Sequence, residues 1–487
     1  MIDEIKEVQN RTRTENGAAA FVSSLDACVD LFFRIGALRL SKPETVEKLF
    51  VRAFAEDPDM ALRAAFYARD ARGGLGERRT FRLILKWLAR HEPESVRKNI
   101  ALVPEFGRYD DLLMLLGTPA EADAVRFLKE KLAEDEQALS EGKNVSLLAK
   151  WLPSVNASSP ETKTAARFLA RQFGMREETY RKKLSALRSR IGLLETALVQ
   201  KADTFDYEKM PSRALFCHRA AFLRRDPDRF NAFVEAVREE KKRMHAACIY
   251  PYEVVRALLA TPGKEERAAL DAVWQSLPDF TDDTNALAVV DGSASMYWRP
   301  VDTAGTLPAH VALSLGLYLA ERSRGAFRNH FITFSSRPRL VEIKGRDLSE
   351  RVEYCMTYNE CANTDLAAVF RLLLDTAVEK GLPQSDLPQT LYVISDMEFD
   401  HGVDADVTVF QEAKAAFEAA GYRLPAVVFW NVQSRHGVIP VTKHETGAAL
   451  VSGLSPTVFR IAMSRQTDPV SFMRSVLENG RYSRVSA

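Results

Sequence analysis

Cysteine is scarce in this sequence, with five residues among 487, and no two of them form a Cys-x-x-Cys pair. An odd and scattered set excludes a disulfide scaffold and the common cysteine-based zinc motifs; the five are Cys28, Cys217, Cys248, Cys355 and Cys361. Long apolar runs are also missing, because no stretch approaches the roughly 18 apolar residues that a membrane helix requires. The N-terminal residues lack the apolar core of a signal peptide. We therefore expect a cytoplasmic protein with free thiols and no membrane contact.

An excess of charge of one sign is absent as well. The chain has 67 Lys plus Arg against 66 Asp plus Glu, and 46% of its residues are hydrophobic. This balance excludes a simple polycation, and the content of 23 glycines and 21 prolines excludes collagen-like and low-complexity chains. At this length the composition predicts a globular protein with two or three cored domains.

The first part of the chain has helical periodicity. Apolar residues recur on one helix face, as at Val46, Leu49 and Phe50, and helix-start signals such as Asp57-Pro58-Asp59 separate the periodic segments. Helix pairs recur every ~40 residues, as in HEAT-type arrays, but without clear internal sequence identity. A solenoid-like stack and a single helical bundle are both open. Residues 1–280 are predicted to form this all-α domain.

The pattern changes after Pro278, where short apolar runs alternate with helical stretches. The runs are Ala286–Val290, Phe331–Phe334, Leu391–Ser395 and Ala426–Trp430, and the helical stretches include Ala309–Arg322 and Asp365–Lys380. Continuous apolar runs are typical of parallel strands that helices cover on both faces. Residues 281–487 are therefore predicted to form a doubly wound α/β domain, which makes the chain multi-domain.

A motif rich in oxygen ligands, Asp291-Gly292-Ser293-Ala294-Ser295, directly follows the first of these runs. A carboxylate and two hydroxyls at alternate positions present three hard oxygens to one point, which suits Mg²⁺ or another divalent cation such as Mn²⁺. Loops that contain Thr364 and Asp396 supply further oxygens, and we expect them at the same carboxyl edge of the sheet. The alternative is a loop in which Asp291 merely caps a turn.

These loops resemble the metal-ion-dependent adhesion site of von Willebrand factor A domains. The five positions of that site are matched in order and interval by Asp291, Ser293, Ser295, Thr364 and Asp396. Ala362 replaces the glycine that is common before the Thr loop, which affects the shape of the loop rather than its ligand. The resemblance implies a bound divalent cation with one coordination position open to a carboxylate of a protein partner. Because the chain lacks G-x-S-x-G, Walker and H-E-x-x-H motifs, we expect a binding protein and not an enzyme.

The whole chain also resembles the DUF2828 proteins, a family without a settled function. The segments that carry this resemblance are Phe32–Arg39, Arg69–Arg78, Ala149–Ser154, Ile394–Asp400 and Phe429–Val432. The layout of that family, helices followed by a von Willebrand A domain, is similar to that of the Ro (TROVE) ribonucleoproteins, whose helical repeats form a ring that binds structured RNA. The analogy implies an RNA-binding function, but it rests on architecture and transfers no RNA-contact residue.

Two basic clusters are candidate RNA contacts. In the glycine-rich segment 69–79, Arg72 and Arg78 could reach phosphates, or Asp70 and Glu77 could pair with the arginines internally. The second cluster lies on a predicted helix and comprises Arg176, Arg181, Lys182, Lys183 and Arg188. A solvated basic face is the alternative for this helix.

Two function classes are therefore open. One is a ribonucleoprotein component whose cation site holds a protein partner. The other is a protein–protein assembly module that binds an acidic residue through the cation, without nucleic acid.

Overall fold

The computed structural model describes residues 1, 5, 8–192, 206–281, 285–359, 364–400, 407–460 and 467–487. All structural statements refer to these residues. Cys361 and Ala362, which the sequence singles out, lie outside them.

Helices dominate the first part of the chain. They are α1 (Ala27–Ile35), α2 (Pro43–Glu56), α3 (Pro58–Arg69), α4 (Arg78–His91), α5 (Pro93–Asn99), α6 (Val103–Phe106), α7 (Glu121–Ser140), α8 (Leu148–Trp151), α9 (Pro160–Gln172), α10 (Glu177–Ile191), α11 (Ser212–Arg225), α12 (Pro227–Arg238), α13 (Pro251–Leu259) and α14 (Lys264–Gln275), with a 3-10 helix at Tyr109–Leu115. Helices that are neighbours in sequence pack together, for example α1 on α2 and α2 on α3. The predicted helical character of this part is confirmed.

The helix-start residues and the apolar face predicted from the sequence have their expected roles in the structure. The side chain of Asp57 caps α3 by accepting a hydrogen bond from the backbone N–H of Met60 at 3.0 Å, and Pro58 occupies the first turn. Val46, Leu49 and Phe50 are all buried on the inner face of α2. An N-terminal hairpin of β1 (Arg11–Arg13) and β2 (Ala19–Phe21) is an addition that helical periodicity does not predict.

The second part is a six-stranded sheet with flanking helices. Its strands are β3 (Ala286–Asp291), β4 (His330–Phe334), β5 (Leu340–Glu342), β6 (Thr390–Ser395), β7 (Ala426–Asn431) and β8 (Ala448–Ser452). Its helices are α15 (Pro308–Arg322), α16 (Leu348–Met356), α17 (Leu366–Lys380), α18 (Val409–Ala419) and α19 (Pro469–Leu477), with 3-10 turns at Ala294–Tyr297, Gln384–Asp386 and Pro456–Arg460. The predicted doubly wound α/β fold is confirmed.

The strand order is β5-β4-β3-β6-β7-β8, and every pair is parallel except β4 with β5. The order reverses at β3, which has β4 on one side and β6 on the other. Val290 is in register with Ile394, so the loops that leave β3 and β6 begin side by side. In an open α/β sheet this reversal creates the crevice in which ligands bind.

The helical part and the sheet contact each other through segments that lie near opposite ends of the chain. Helix α1 packs against β8, and a Cβ atom on Gly36 would lie 2.7 Å from the Cα atom of Gly453, so only glycine fits at this crossing. The last helix of the first part ends at Gln275 and the first strand of the sheet begins at Ala286. The domain division at residues 280 and 281 stays a prediction.

Candidate metal centre

The carboxyl ends of β3 and β6 carry the two acidic residues of the candidate site. Asp291 is the last residue of β3, and Asp396 follows the last residue of β6. The side chains are deeply buried, with exposed fractions of 0% for Asp291 and 2% for Asp396. Charged groups are seldom fully buried unless a partner compensates them, so this pair of carboxylates requires one.

Serine hydroxyls connect the two carboxylates. The backbone N–H of Ser293 donates to Asp291 Oδ1 at 2.9 Å, and the Oγ atoms of Ser293 and Ser295 lie 3.0 Å apart. Ser295 in turn hydrogen-bonds the carboxylate of Asp396, and Ser395 hydrogen-bonds that of Asp291. The tight turn after β3 therefore brings four of the five sequence-predicted residues into one connected group.

Thr364 lies on the far side of the loop that follows β6. Its hydroxyl donates to the backbone carbonyl of Glu398 at 2.9 Å, and the backbone N–H of Glu398 lies 3.3 Å from Asp396 Oδ1. The Thr364 side chain is 1% exposed. The fifth predicted residue is thus connected to the other four through Glu398.

Burial and mutual repulsion disfavour negative charge on both Asp291 and Asp396 in the absence of a bound cation. Burial and the neighbouring charge of Asp396 raise the pKa of Asp291 to about 7, although the hydroxyl of Ser395 acts in the opposite direction. Burial likewise raises the pKa of Asp396, and the positive charge of Arg435 partly opposes this shift. Desolvation and like-charge repulsion penalise the ionised forms, so a bound cation would stabilise both carboxylates.

The Oδ2 atoms of both carboxylates are buried and accept no hydrogen bond from the described residues. Asp396 Oδ2 is ion-paired with Arg435 Nη2 at 3.1 Å, so the unsatisfied oxygen is that of Asp291. Buried polar atoms in native proteins are normally satisfied, and an unsatisfied carboxylate oxygen indicates a site for a bound ion or water. The unsatisfied oxygen of Asp291, the carboxylate of Asp396 and the three hydroxyls match the hard oxygen donors that Mg²⁺ prefers. The residues present therefore fit a divalent cation.

Four residues near the site were not identified from the sequence: Glu15, Asn16, Arg435 and His436. Arg435 Nη2 lies 3.1 Å from Asp396 Oδ2 and 3.0 Å from Glu15 Oε2. His436 Nδ1 lies 3.1 Å from Glu398 Oε1, and potential ligand atoms of Glu15, Glu398 and His436 are within 4.8 Å of one another. None of these residues belongs to a spaced motif, so the sequence offers no signal for them.

In the glycine-rich segment 69–79 the charged groups are largely paired within the protein. Arg69 Nε lies 2.8 Å from Asp111 Oδ2, and Arg39 Nε lies 2.6 Å from Glu77 Oε1. The glycines serve packing, since a Cβ atom on Gly74 would lie 2.0 Å from the carbonyl oxygen of Tyr67. The candidate RNA contacts Arg72 and Arg78 are exposed beside this paired core.

On helix α10 the basic residues divide into two groups. Arg188 is half-buried and donates to the backbone carbonyls of Ala149 and Leu152 at 2.8 and 2.9 Å, so it serves the fold. Lys183 pairs with Glu136 at 2.6 Å, and Lys182 pairs with Glu178 at 2.8 Å. Arg176 and Arg181 are exposed. As RNA contacts all of these residues stay predictions.

No helix among the described residues is long and apolar enough to cross a membrane.

Comparisons with known proteins cover nearly the whole chain. Residues 14–126 and 159–285 match the model of DUF2828, and residues 285–478 match that of DUF7788, both described as domains of unknown function. The uncharacterized protein L728 of Acanthamoeba polyphaga mimivirus is 27% identical over 96% of this chain and 87% of its own length. The crystal structure of the Ro (RSR) protein of Deinococcus radiodurans is similar over 93% of this chain and 99% of that chain, with 16% identity and a TM-score of 0.41.

These matches bear on the sequence-based resemblances in different ways. The model that matches the sheet is DUF7788 and not a von Willebrand A model, so the adhesion-type metal site stays a prediction that rests on the loops described above. The predicted resemblance to the DUF2828 family is confirmed for residues 14–126 and 159–285. The segments Ile394–Asp400 and Phe429–Val432, which also suggested it, lie in the residues that match DUF7788.

Proposed function

We propose that this chain is a non-catalytic binding protein whose α/β part holds a divalent cation, Mg²⁺ or Mn²⁺, and binds an acidic group through it. The observation that carries the proposal is the buried pair of carboxylates at the switch point of the sheet, of which Asp291 keeps an oxygen without a hydrogen bond from the described residues. The five residues that would hold the cation are Asp291, Ser293, Ser295, Thr364 and Asp396.

The residues of the site have separate roles in this proposal. Asp291 and Asp396 supply negative charge, and the three hydroxyls supply neutral oxygens. Ser395 and the backbone N–H of Ser293 orient the Asp291 carboxylate, as outer partners of metal ligands commonly do. When bound, the cation would supply a positive charge that attracts a carboxylate.

Hydrogen bonding in the site favours binding over turnover. The hydroxyls of Ser293 and Ser295 face each other and the two carboxylates. Among the described residues, neither serine is paired with a histidine that could remove its proton, because His436 contacts Glu398 and Glu15 instead. A hydrolase of the serine type needs such a pairing of nucleophile and base.

Thermal unfolding with and without divalent cations tests this function. Wild-type protein in millimolar Mg²⁺ or Mn²⁺ is expected to melt at a higher temperature than in EDTA, because a ligand that binds only the folded state stabilises it. Asp291→Ala should abolish this difference, and the matched control Asp375→Ala, an exposed aspartate on α17, should retain it. A wild-type melting temperature that does not respond to either cation would refute the proposal.

RNA binding by the helical part is a second candidate function. The observation that favours it is the outer face of α10, where Arg181 and Lys182 are exposed while Leu184 and Leu187 are buried. Lys182 pairs with Glu178, but both side chains are more than two-thirds exposed, at 68% and 69%, and such surface pairs are weak. The charge of this face is therefore accessible to phosphates.

The nucleic-acid content of protein purified at low salt tests this second function. Replacing Arg181, Lys182 and Lys183 by Glu should then weaken binding to structured RNA and reduce its dependence on salt. Protein that purifies free of nucleic acid and does not shift structured RNA would favour the assembly module without RNA.

A further inference from the structure

The turn between β1 and β2, residues Thr14–Gly17, lies over the candidate metal centre; we call it the N-terminal turn. The hydroxyl of Thr14 donates to the backbone carbonyl of Phe399 at 2.5 Å, and the backbone N–H of Glu15 donates to Glu398 Oε2 at 2.7 Å. Gly17 forms a β-bridge with Asp400. The turn is thus fixed to the loop that follows β6, although nearly 400 residues separate them in the sequence.

Asn16 extends this contact into the site itself. Its side-chain amide donates to the backbone carbonyl of Glu398 at 2.7 Å and to the hydroxyl of Thr364 at 3.0 Å. The hydroxyl of Thr364, one of the five donors assigned to the cation, is therefore in direct contact with the N-terminal turn.

The carboxylate of Glu15 approaches the acidic pair through Arg435. The same guanidinium nitrogen lies 3.0 Å from Glu15 Oε2 and 3.1 Å from Asp396 Oδ2. The Arg435 side chain is only 12% exposed, and that of Glu15 is 44% exposed. A positive charge is thus held between one carboxylate of the site and one carboxylate of the turn, where a divalent cation would also neutralise both.

Glu398 has a different role from Glu15. Its side chain is 1% exposed, and its two carboxylate oxygens are engaged by the backbone N–H of Glu15 and by the ring of His436. A carboxylate that is already bound on both oxygens orients its neighbours rather than binding a new ligand. The carboxylate of Glu15 is more exposed, and its ion-pair partners are Arg435 at 3.0 Å and His436 at 3.9 Å. Glu15 is therefore the acidic side chain that can move.

The burial of the site residues restricts the access of an outside ligand. Asp291, Thr364 and Asp396 are all at most 2% exposed, whereas a cation that bridges to a partner needs one open face. In the described part of the chain the N-terminal turn contacts Thr364 and Arg435 contacts Asp396, so both add to the cover over these two residues.

We propose that Glu15 is the chain's own carboxylate ligand for the cation site, so that an outside acidic group reaches the cation only by displacing the N-terminal turn. Arg435 takes the place of the cation when no divalent ion is bound. This inference rests on the proposed function, because it adds a ligand to the same site.

Mn²⁺ alone, added to the full-length protein, is the probe that tests the inference. Calorimetry measures its affinity, and water-proton relaxation or electron-nuclear double resonance counts the waters bound to it. Glu15→Gln should bind Mn²⁺ about tenfold more weakly and should carry one more bound water than the wild type. The control Glu44→Gln, an exposed glutamate on α2, should match the wild type in both measurements.

A second variant tests the role of Arg435. Arg435→Gln removes the competing positive charge and should bind Mn²⁺ about tenfold more tightly. A Glu15→Gln protein with wild-type affinity and an unchanged number of bound waters would overturn the inference, and so would a weaker affinity in Arg435→Gln. Wild-type protein that binds no Mn²⁺ would instead overturn the proposed function and the inference together.

Discussion

Asp70→Asn is expected to loosen the C-terminal tail, residues 479–487, from the helical part. The carboxylate of Asp70 is 1% exposed at the end of α3 and accepts hydrogen bonds from Arg481 Nε, from Arg481 Nη2 at 2.8 Å and from the hydroxyl of Tyr482 at 3.0 Å. The amide keeps the shape of the side chain but removes its charge and half of its accepting capacity. Asp70→Asn therefore measures the electrostatic contribution to the attachment of the C-terminal tail.

The magnitude follows from these contacts. Hydrogen bonds to a charged group contribute roughly 1.5–3 kcal/mol each, but the Arg481 side chain is 37% exposed, so water compensates part of the loss. We expect Asp70→Asn to lower the free energy of unfolding by about 2–3 kcal/mol. Asp375→Asn, on the exposed surface of α17, should change it by less than about 0.5 kcal/mol.

The effect has a defined pH dependence. Burial alone would raise the pKa of Asp70, but hydrogen bonds from Arg481 and from the backbone N–H of Arg72, together with the charge of Arg481, lower it below its usual 3.8. A carboxyl group with a lowered pKa in the folded state stabilises that state above its unfolded-state pKa and loses this contribution as the pH falls through its folded-state pKa. The difference between wild type and variant should be constant near pH 7 and narrow below roughly pH 4.

Urea unfolding at several pH values measures the global effect, and hydrogen exchange measures the local one. The amides of Tyr482 and Val485, both buried, should lose protection in Asp70→Asn, while those of β6 should not. A variant with wild-type stability and an unchanged exchange rate in the tail would show that Asp70 does not hold it and that its other contacts, such as those of Ser486 with Asn99, are sufficient.

Two further pairs of substitutions compare a residue that packs against the rest of the protein with an exposed one of the same type. Arg188→Ala should lower the free energy of unfolding by about 1–3 kcal/mol, because two buried backbone carbonyls lose their donor. Arg181→Ala should lower it by less than about 0.5 kcal/mol. Equal losses in urea unfolding would contradict this assignment. Gly76→Ala should lower the melting temperature more than Gly174→Ala. Both glycines have positive φ, 70° and 73°, so the backbone strain is similar in the two variants. The difference is steric, because a Cβ atom at Gly76 would lie 2.2 Å from the Tyr250 hydroxyl, whereas one at Gly174 would meet nothing within 4 Å. Similar melting temperatures would exclude a steric role for Gly76.

Local patterns in the sequence predicted much of the fold because they reflect burial. The run Leu391–Ile394 is continuously apolar, and the strand that contains it, β6, is buried at every position. Asp365 precedes a helical stretch, and its side chain caps α17 by accepting from the backbone N–H of Ala368 at 2.8 Å. Short strands without such a pattern were missed: β5 spans three residues with only the middle one buried.

The candidate metal centre was partly accessible to sequence reasoning. Asp291 and Asp396 each follow an apolar run, and parallel strands necessarily bring such positions to one edge of a sheet. Glu15 and Arg435 stand in no motif. Arg435 follows β7, which pairs with β6, and lies beside Asp396, whereas Glu15 reaches Arg435 through the docking of the N-terminal hairpin. No local pattern encodes a contact between residues so far apart in the chain.

The glycine-rich segment 69–79 shows the same limit. Its composition allowed a phosphate cradle or an internally paired connector, since arginines and acidic residues alternate in it. The tertiary structure shows internal pairing: the partners are Asp111 for Arg69, Arg481 for Asp70 and Arg39 for Glu77. These partners come from other parts of the chain, so the local composition could not reveal them.

The sequence by itself determined the helical first part, the doubly wound sheet and the oxygen donors at its edge, because periodicity, strand hydrophobicity and motif spacing are properties of neighbouring residues. Only the tertiary structure decided which charges are neutralised and which side chains cover the site. Those outcomes depend on burial and on contacts between the two ends of the chain, and both arise only when the whole molecule is packed.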